Sequence, residues 1–173
     1  MKIKNAIYTL DSHTEEPEKG LPHDFFTFIS RKTPMINVDL LIKDKKGRTL
    51  LSWRKDKYFD AGWHVPGGII RYKEKMEHRI NEVARLEINT KVKFDKEPLA
   101  INQIILAQKE RGHFISFLFC CSVKEGFEPE NKGLKPGDPG YLKWHDKCPT
   151  NLLKVHRIYK KYINDKRIRY GRK

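Results

Sequence analysis

Hydrophobic positions between Ile36 and Arg54 recur with a period of two. Ile36, Val38, Leu40 and Ile42 alternate with Asn37, Asp39 and Lys43, the pattern of a strand with one face turned inward. Asp44 to Gly47 reads as a turn, and Arg48 to Arg54 as the returning arm of a hairpin. Trp63-His64-Val65 forms a short strand, stopped by Pro66 and followed by Gly67 and Gly68, which permit backbone approaches that a side chain would block. From Glu74 to Ile88 the apolar spacing changes to four and three, at Met76, Ile80 and Val83, which predicts a helix. The next position on that stripe is Glu87. Burying a carboxylate there is costly unless something cationic neutralises it, which marks Glu87 as a candidate functional residue.

Two further strands are expected at Leu99 to Ala107 and His113 to Val123; the second is apolar on both faces and so belongs in the middle of a sheet. A loop rich in glycine and proline, Gly133 to Gly140, leads to a short strand at Tyr141 to His145. Pro149, Thr150 and Asn151 then open a terminal helix with Leu152, Val155, Tyr159 and Tyr162 on its packing stripe. Upstream, Asp24 can cap a short helix running to about Arg31, which Pro34 prevents from continuing far. Residues 1–21 read as an irregular leader with one short strand around Ala6 to Leu10, residues 22–163 as the domain proper, and residues 164–173 as a basic tail.

With 173 residues, 38% of them hydrophobic and 34% charged, spread along the whole length, the composition suits one folded domain and argues against disorder, collagen and coiled coil. The longest uncharged apolar run, Phe114 to Cys121, is far short of the roughly 20 residues that cross a bilayer, so no membrane association is expected. Cys120, Cys121 and Cys148 form no CxxC pair. Adjacent cysteines in a strand point to opposite faces, which suits a buried sheet and a reducing, cytoplasmic setting. The formal charge of +14 is concentrated at the C-terminus, where residues 151–173 hold nine basic side chains against one acid, Asp165. Such a surface favours polyanions, whether nucleotides, nucleic acid or acidic membrane, although charge runs are often only a solvated helix face.

Val65-Pro66-Gly67-Gly68, then Glu74, then a helix ending in Leu86-Glu87-Ile88-Asn89, resembles a Nudix box, G-x5-E-x7-R-E-U-x-E-E-x-G-U with U aliphatic. Gly68 and Glu74 match at the required separation, and Glu87 matches the second member of the glutamate pair. Glu82 stands in place of the motif arginine, Val83 and Leu86 in place of two acids, and Asn89 and Thr90 in place of the glycine and the aliphatic residue. Together with Asp24 to Pro34, the strands around Asp39 and Trp53-Arg54, and the Trp63 to Gly68 segment, the box resembles the GDP-mannose mannosyl hydrolase branch of the Nudix superfamily, which also lacks the first two motif acids and keeps the last.

The resemblance implies an α/β/α sandwich with a mixed sheet and a Mg²⁺-dependent hydrolase that splits a nucleotide sugar into sugar and nucleoside diphosphate. Mg²⁺ takes hard oxygen ligands and keeps several waters, so Glu87, the carbonyl of Gly68 and substrate phosphates could hold it. Matching positions assign Asp39 to substrate contact and Arg54 to the diphosphate. The branch has an arginine directly after its paired glycines, where this chain has Ile69; Arg71, two residues on, shares the side of an extended segment and is its replacement. Where the branch places a glutamine metal ligand and a catalytic histidine, this chain has Asp138 and Pro139, so Asp138 is the third candidate ligand, no histidine stands in the base position, and the base is unassigned. Homodimers are common in the branch. Two other readings remain open: a catalytically degraded Nudix-like domain that binds a nucleotide or a partner, and an RNA- or cap-directed hydrolase, for which only the basic tail speaks.

Overall fold

In the computed structural model, which describes residues 2–171, the elements in chain order are α1 (Ile3–Ser12), α2 (His23–Ile29), β1 (Met35–Ile42), β2 (Thr49–Arg54), β3 (Gly62–His64), β4 (Gly67–Ile69), α3 (Met76–Val83), β5 (Lys93–Phe94), β6 (Ala100–Ile105), β7 (His113–Ser122), β8 (Leu142–His145) and α4 (Lys160–Asn164). β1 runs parallel to β7 and antiparallel to β4, while β5 and β6 both pair with the far side of β7. A second, antiparallel sheet has the order β3-β2-β8. The mixed α/β class expected from the sequence is what the chain adopts.

The apolar run of β7 does make it the central strand. The hairpin expectation needs correction, because β1 and β2 meet only at the Lys43–Thr49 bridge and then enter different sheets. The two sheets bury different faces. Leu40 joins Leu50, Ile80, Val83 and Phe119 beneath α3, whereas Leu41 joins Leu51, Trp63, Leu118 and Tyr159 on the opposite side, as adjacent strand residues must. Each of these fully buried leucines contributes about 2 kcal/mol through removal from water. Cys120 and Cys121 are buried and unbonded, and burial pushes the Cys120 thiol up to about 11.

Other boundaries shift for local reasons. Ala6 to Leu10 is helical within α1, which buries none of its residues. In α2 the cap position belongs to Pro22, and Asp24 sits in the first turn instead. The C-terminal helix begins later than its stripe suggests, as a 3-10 turn at Lys154–Tyr159 followed by α4. α4 and the basic segment beyond it are tied to the β1–β2 turn: the Lys43 ammonium donates to the Ile163 carbonyl of α4 at 2.8 Å, and the Arg169 guanidinium donates to the Asp44 carbonyl at 3.4 Å. Arg172 and Lys173 of the expected tail lie outside the described residues. Among the described residues no helix is long and apolar enough to cross a membrane.

Candidate active site

α3 does not end as a regular helix. Ala84–Ile88 adopts a π-helical turn, and Asn89 closes it in the left-handed region with φ 54° and ψ 36°. The extra residue in the turn re-aims the side chains that follow it, a device common at functional sites. Asn tolerates the left-handed conformation better than most residues, so Asn89 performs the backbone task of the glycine in the box pattern.

Glu87 is carried by this turn to the double glycine. Its Oε1 accepts from the Gly67 amide at 3.3 Å, and its Oε2 lies 3.1 Å from the Nε2 of His64. The carboxylate is thus neither buried in the apolar core nor free in solvent; its side chain is 28% exposed. His64 Nδ1 lies 2.9 Å from the Ser52 carbonyl, an oxygen that only accepts, so Nδ1 carries a hydrogen. The contact with Glu87 then requires a second proton, on Nε2 or on the carboxyl group.

Both glycines are required by contact. A methyl group on Gly67 would overlap the Asp39 carboxylate, and one on Gly68 would come within 2.7 Å of a Val83 methyl on α3. These close approaches form one wall of a cavity of about 710 Å³, lined among others by Asp39, Arg54, His64, Gly67, Gly68 and Glu87, a volume ordinary for small-molecule sites.

Asp39 sits on β1 opposite Gly67 and is 3% exposed. Ser116 and Tyr159 each donate to its Oδ2 at 2.5 Å, and their hydroxyl oxygens are 2.6 Å apart. Burial pushes the Asp39 carboxyl up, against the pull of those two hydrogen bonds. Tyr159 is held neutral by the same burial and by Asp39. Arg54 lines the cavity with its Nε on Asp56 at 2.5 Å, leaving its outer nitrogens free of that pair.

The remaining expected residues lie elsewhere. Arg71 packs along Gly20 and donates to the Glu18 carbonyl at 3.3 Å, in a shallow hollow beside the N-terminal segment. Asp138 accepts from the Lys135 amide at 2.7 Å within its own loop; its neighbours Pro139 and Gly140 line the cavity, and it does not. Glu74 accepts from the Arg71 amide and from Arg79 and pairs with His78; against the opposing effect of burial, these contacts hold its carboxyl below the usual range. It therefore anchors the start of α3.

The structure adds His156, Arg111 and Arg85 to the cavity wall. His156 Nδ1 accepts from the Val65 amide at 3.0 Å, so the neutral ring carries its hydrogen on Nε2 and is a fixed donor. Burial, with His64 and Arg54 adding to it, holds its pKa well below the ordinary value. Arg85 is already paired with Glu82 at 2.8 Å. Nothing in the local sequence around His156 or Arg111 distinguishes them from surface residues.

Among the described residues no group of three or more histidine, cysteine, aspartate or glutamate side chains is arranged to hold a metal ion. The donor set at the double glycine fits Mg²⁺ only in the form that ion often takes, with one carboxylate, Glu87, and the other positions filled by water and ligand phosphates.

No family model matches the chain. The low-salt glycan biosynthesis protein Agl8 of Haloferax volcanii is 27% identical over 148 residues, covering 76% of this chain and 94% of that protein. The crystal structure of a MutT NUDIX hydrolase from Burkholderia pseudomallei overlays with a TM-score of 0.59 at 23% identity, over 75% of this chain and 97% of its own. The fold is that of the Nudix hydrolases. A UDP-X diphosphatase structure covers 93% of this chain and 88% of its own with a TM-score of 0.55 and 18% identity. In this fold the π-helical end of α3 carries Glu87, whose carboxylate faces the glycines.

Proposed function

We propose that this chain hydrolyses a nucleoside diphosphate derivative, with a nucleotide sugar of the GDP-mannose type as the leading candidate, in a Mg²⁺-dependent reaction. The observation that carries the reading is the placement of the Glu87 carboxylate at the double glycine, on the wall of a cavity that also presents Arg54 and the fixed donor of His156. The name of the Haloferax relative concerns glycan biosynthesis and that of one structural neighbour a UDP-X diphosphatase, and both agree with a sugar-nucleotide substrate.

Within the cavity, Arg54 is placed to bind phosphate oxygens through its outer nitrogens, and the Nε2 hydrogen of His156 is available to a phosphate or sugar oxygen. Asp39, with Ser116 and Tyr159 behind it, offers a polar, desolvated contact for the substrate. Glu87 would hold the metal, whose positive charge would stabilise a diphosphate as it departs. Purified protein with Mg²⁺ should therefore cleave at least one member of a panel of GDP- and UDP-sugars, dinucleoside polyphosphates and nucleoside triphosphates; a panel left intact overturns the proposal.

A second reading is favoured by one observation. Both oxygens of Glu87 are already engaged within the protein. A binding domain without turnover would take up a nucleotide with unchanged affinity when Mg²⁺ is chelated, which calorimetry separates from the hydrolase.

A further inference from the structure

Arg111 lies in the turn between β6 and β7 at φ 52°, a conformation disfavoured for a residue with a long side chain. The turn is tied down: the Arg111 amide donates to Ser30 Oγ at 3.1 Å, and Gln108 Nε2 donates to the Glu110 and Arg111 carbonyls at 2.8 and 3.1 Å. Its guanidinium is thereby sent towards the cavity, over the rings of Tyr58, Phe59 and Phe26 at 5.0, 5.6 and 5.9 Å.

Among the described residues no acid forms an ion pair with this guanidinium. The carboxylate of the adjacent Glu110 is directed to Arg31 at 3.7 Å, and Asp56 is taken up by Arg54 and by the amides of Tyr58 and Phe59. Among the described residues the Arg111 guanidinium makes no ion pair or hydrogen bond, and its Nε is buried without a partner. A second cation stands beside it: the Arg54 guanidinium covers the same Phe59 ring at 4.9 Å. Burial, followed by Arg54, lowers the Arg111 pKa against the smaller opposing effects of Asp56 and Tyr58. Two arginines that share one ring, one of them desolvated and unpaired, form an arrangement that costs stability until an anion arrives.

We propose that Arg111 and Arg54 together form a two-guanidinium seat for the phosphoryl end of the ligand, with Arg111 as a phosphate-binding residue of this site. The assignment deepens the reading above and rests on it for placing the ligand in this cavity. Guanidinium forks suit phosphate oxygens because they donate in pairs, and the aromatic faces hold the fork flat without consuming its donors.

The test uses full-length protein with inorganic pyrophosphate, GDP and UDP as probes, followed by calorimetry and thermal shift, alongside turnover of the sugar-nucleotide panel. Arg111→Gln should weaken pyrophosphate binding about 10- to 100-fold, in keeping with loss of a charged, paired donor. Arg111→Lys, which keeps the charge and loses the fork, should fall between the two and provides the measurement if the glutamine variant does not fold. Without ligand, Arg111→Gln should melt at or above the parent temperature, because an unpaired desolvated cation has been removed.

A lower melting temperature with unchanged pyrophosphate affinity would make Arg111 a stacking residue only and would overturn the seat, as would a parent protein that binds none of the probes. Turnover with unchanged KM in both variants overturns the seat and leaves the hydrolase standing. Pyrophosphate that binds the parent and is lost in Arg111→Gln, with no turnover by the parent, upholds the seat and removes the hydrolase.

Discussion

His64 and Glu87 meet through Nε2 and Oε2 at 3.1 Å while the other nitrogen of the ring is fixed on the Ser52 carbonyl. The two residues come from different layers, β3 in the small sheet and the π-helical end of α3, and Glu87 also reaches Gly67 in the mixed sheet. This carboxylate is therefore both a clasp at the cavity and the acid on which the proposed chemistry depends.

Replacing Glu87 by glutamine separates those two parts. The amide oxygen can still accept from Gly67 and the amide nitrogen can donate to a singly protonated His64. Glu87→Gln should accordingly stay within about 1 kcal/mol of the parent in denaturant unfolding and lose about 100-fold or more in kcat on the preferred substrate. Parental kcat in this variant would remove Glu87 from the reaction.

A pH dependence of stability follows from two imidazoles, one half-buried and one buried. In the unfolded chain both titrate near 6.5. In the fold, burial brings His145 down to about 4 and holds His156 well below its ordinary value. The native state thus binds fewer protons below about pH 6.5, so stability is fully present above that pH and is lost as pH falls towards the folded values. Asp39, raised by burial, acts in the opposite direction, because protonation relieves the cost of its buried charge. Melting temperatures of the parent and His156→Gln from pH 7.5 to 5 should therefore converge or cross on acidification. A constant gap between the two would rule out a neutral, buried His156 as the cause.

The Gly67 position tests the close approach of β4 to β1. A methyl group there meets the Asp39 carboxylate and stands 2.9 Å from the Val38 carbonyl oxygen, both parts of a central strand with little room to retreat. Gly67→Ala should cost about 1–3 kcal/mol in urea unfolding, the usual penalty of overpacking. A variant of parental stability would show that the two strands can separate.

Asn89 gives a prediction with a sign. At φ 54° a glycine is free of strain and an alanine is not, so Asn89→Gly should be neutral or stabilising whereas Asn89→Ala should cost about 1 kcal/mol. Equal melting temperatures for the two variants would contradict the left-handed end of the box helix.

Periodicity made several elements legible: the inward residues of β1, the central place of β7, and the stripe Ile80–Val83 that aims α3 at the sheet. It also singled out Glu87, since a carboxylate on that stripe must meet something polar. Alternation records which way a side chain faces and says nothing of which strand lies beside it, so β1 and β2 read as one hairpin although they part after a single bridge. Polar Asn37 and Asp39, which in an edge strand would face water, instead line the cavity. His156 and Arg111 were illegible for a related reason. Each reaches the cavity through long-range folding, the first from the C-terminal 3-10 turn and the second from the β6–β7 turn, and neither is marked by its neighbours in the chain.

Because β1 and β2 diverge after Lys43 and Thr49, the cavity is a cleft between two independently hydrogen-bonded strand layers. One bank carries Asp39 and the glycines, the other Ser52, Arg54 and His64. Natural variation can therefore remodel one bank while the other keeps its register, and such a scaffold can acquire new ligands without rebuilding its backbone.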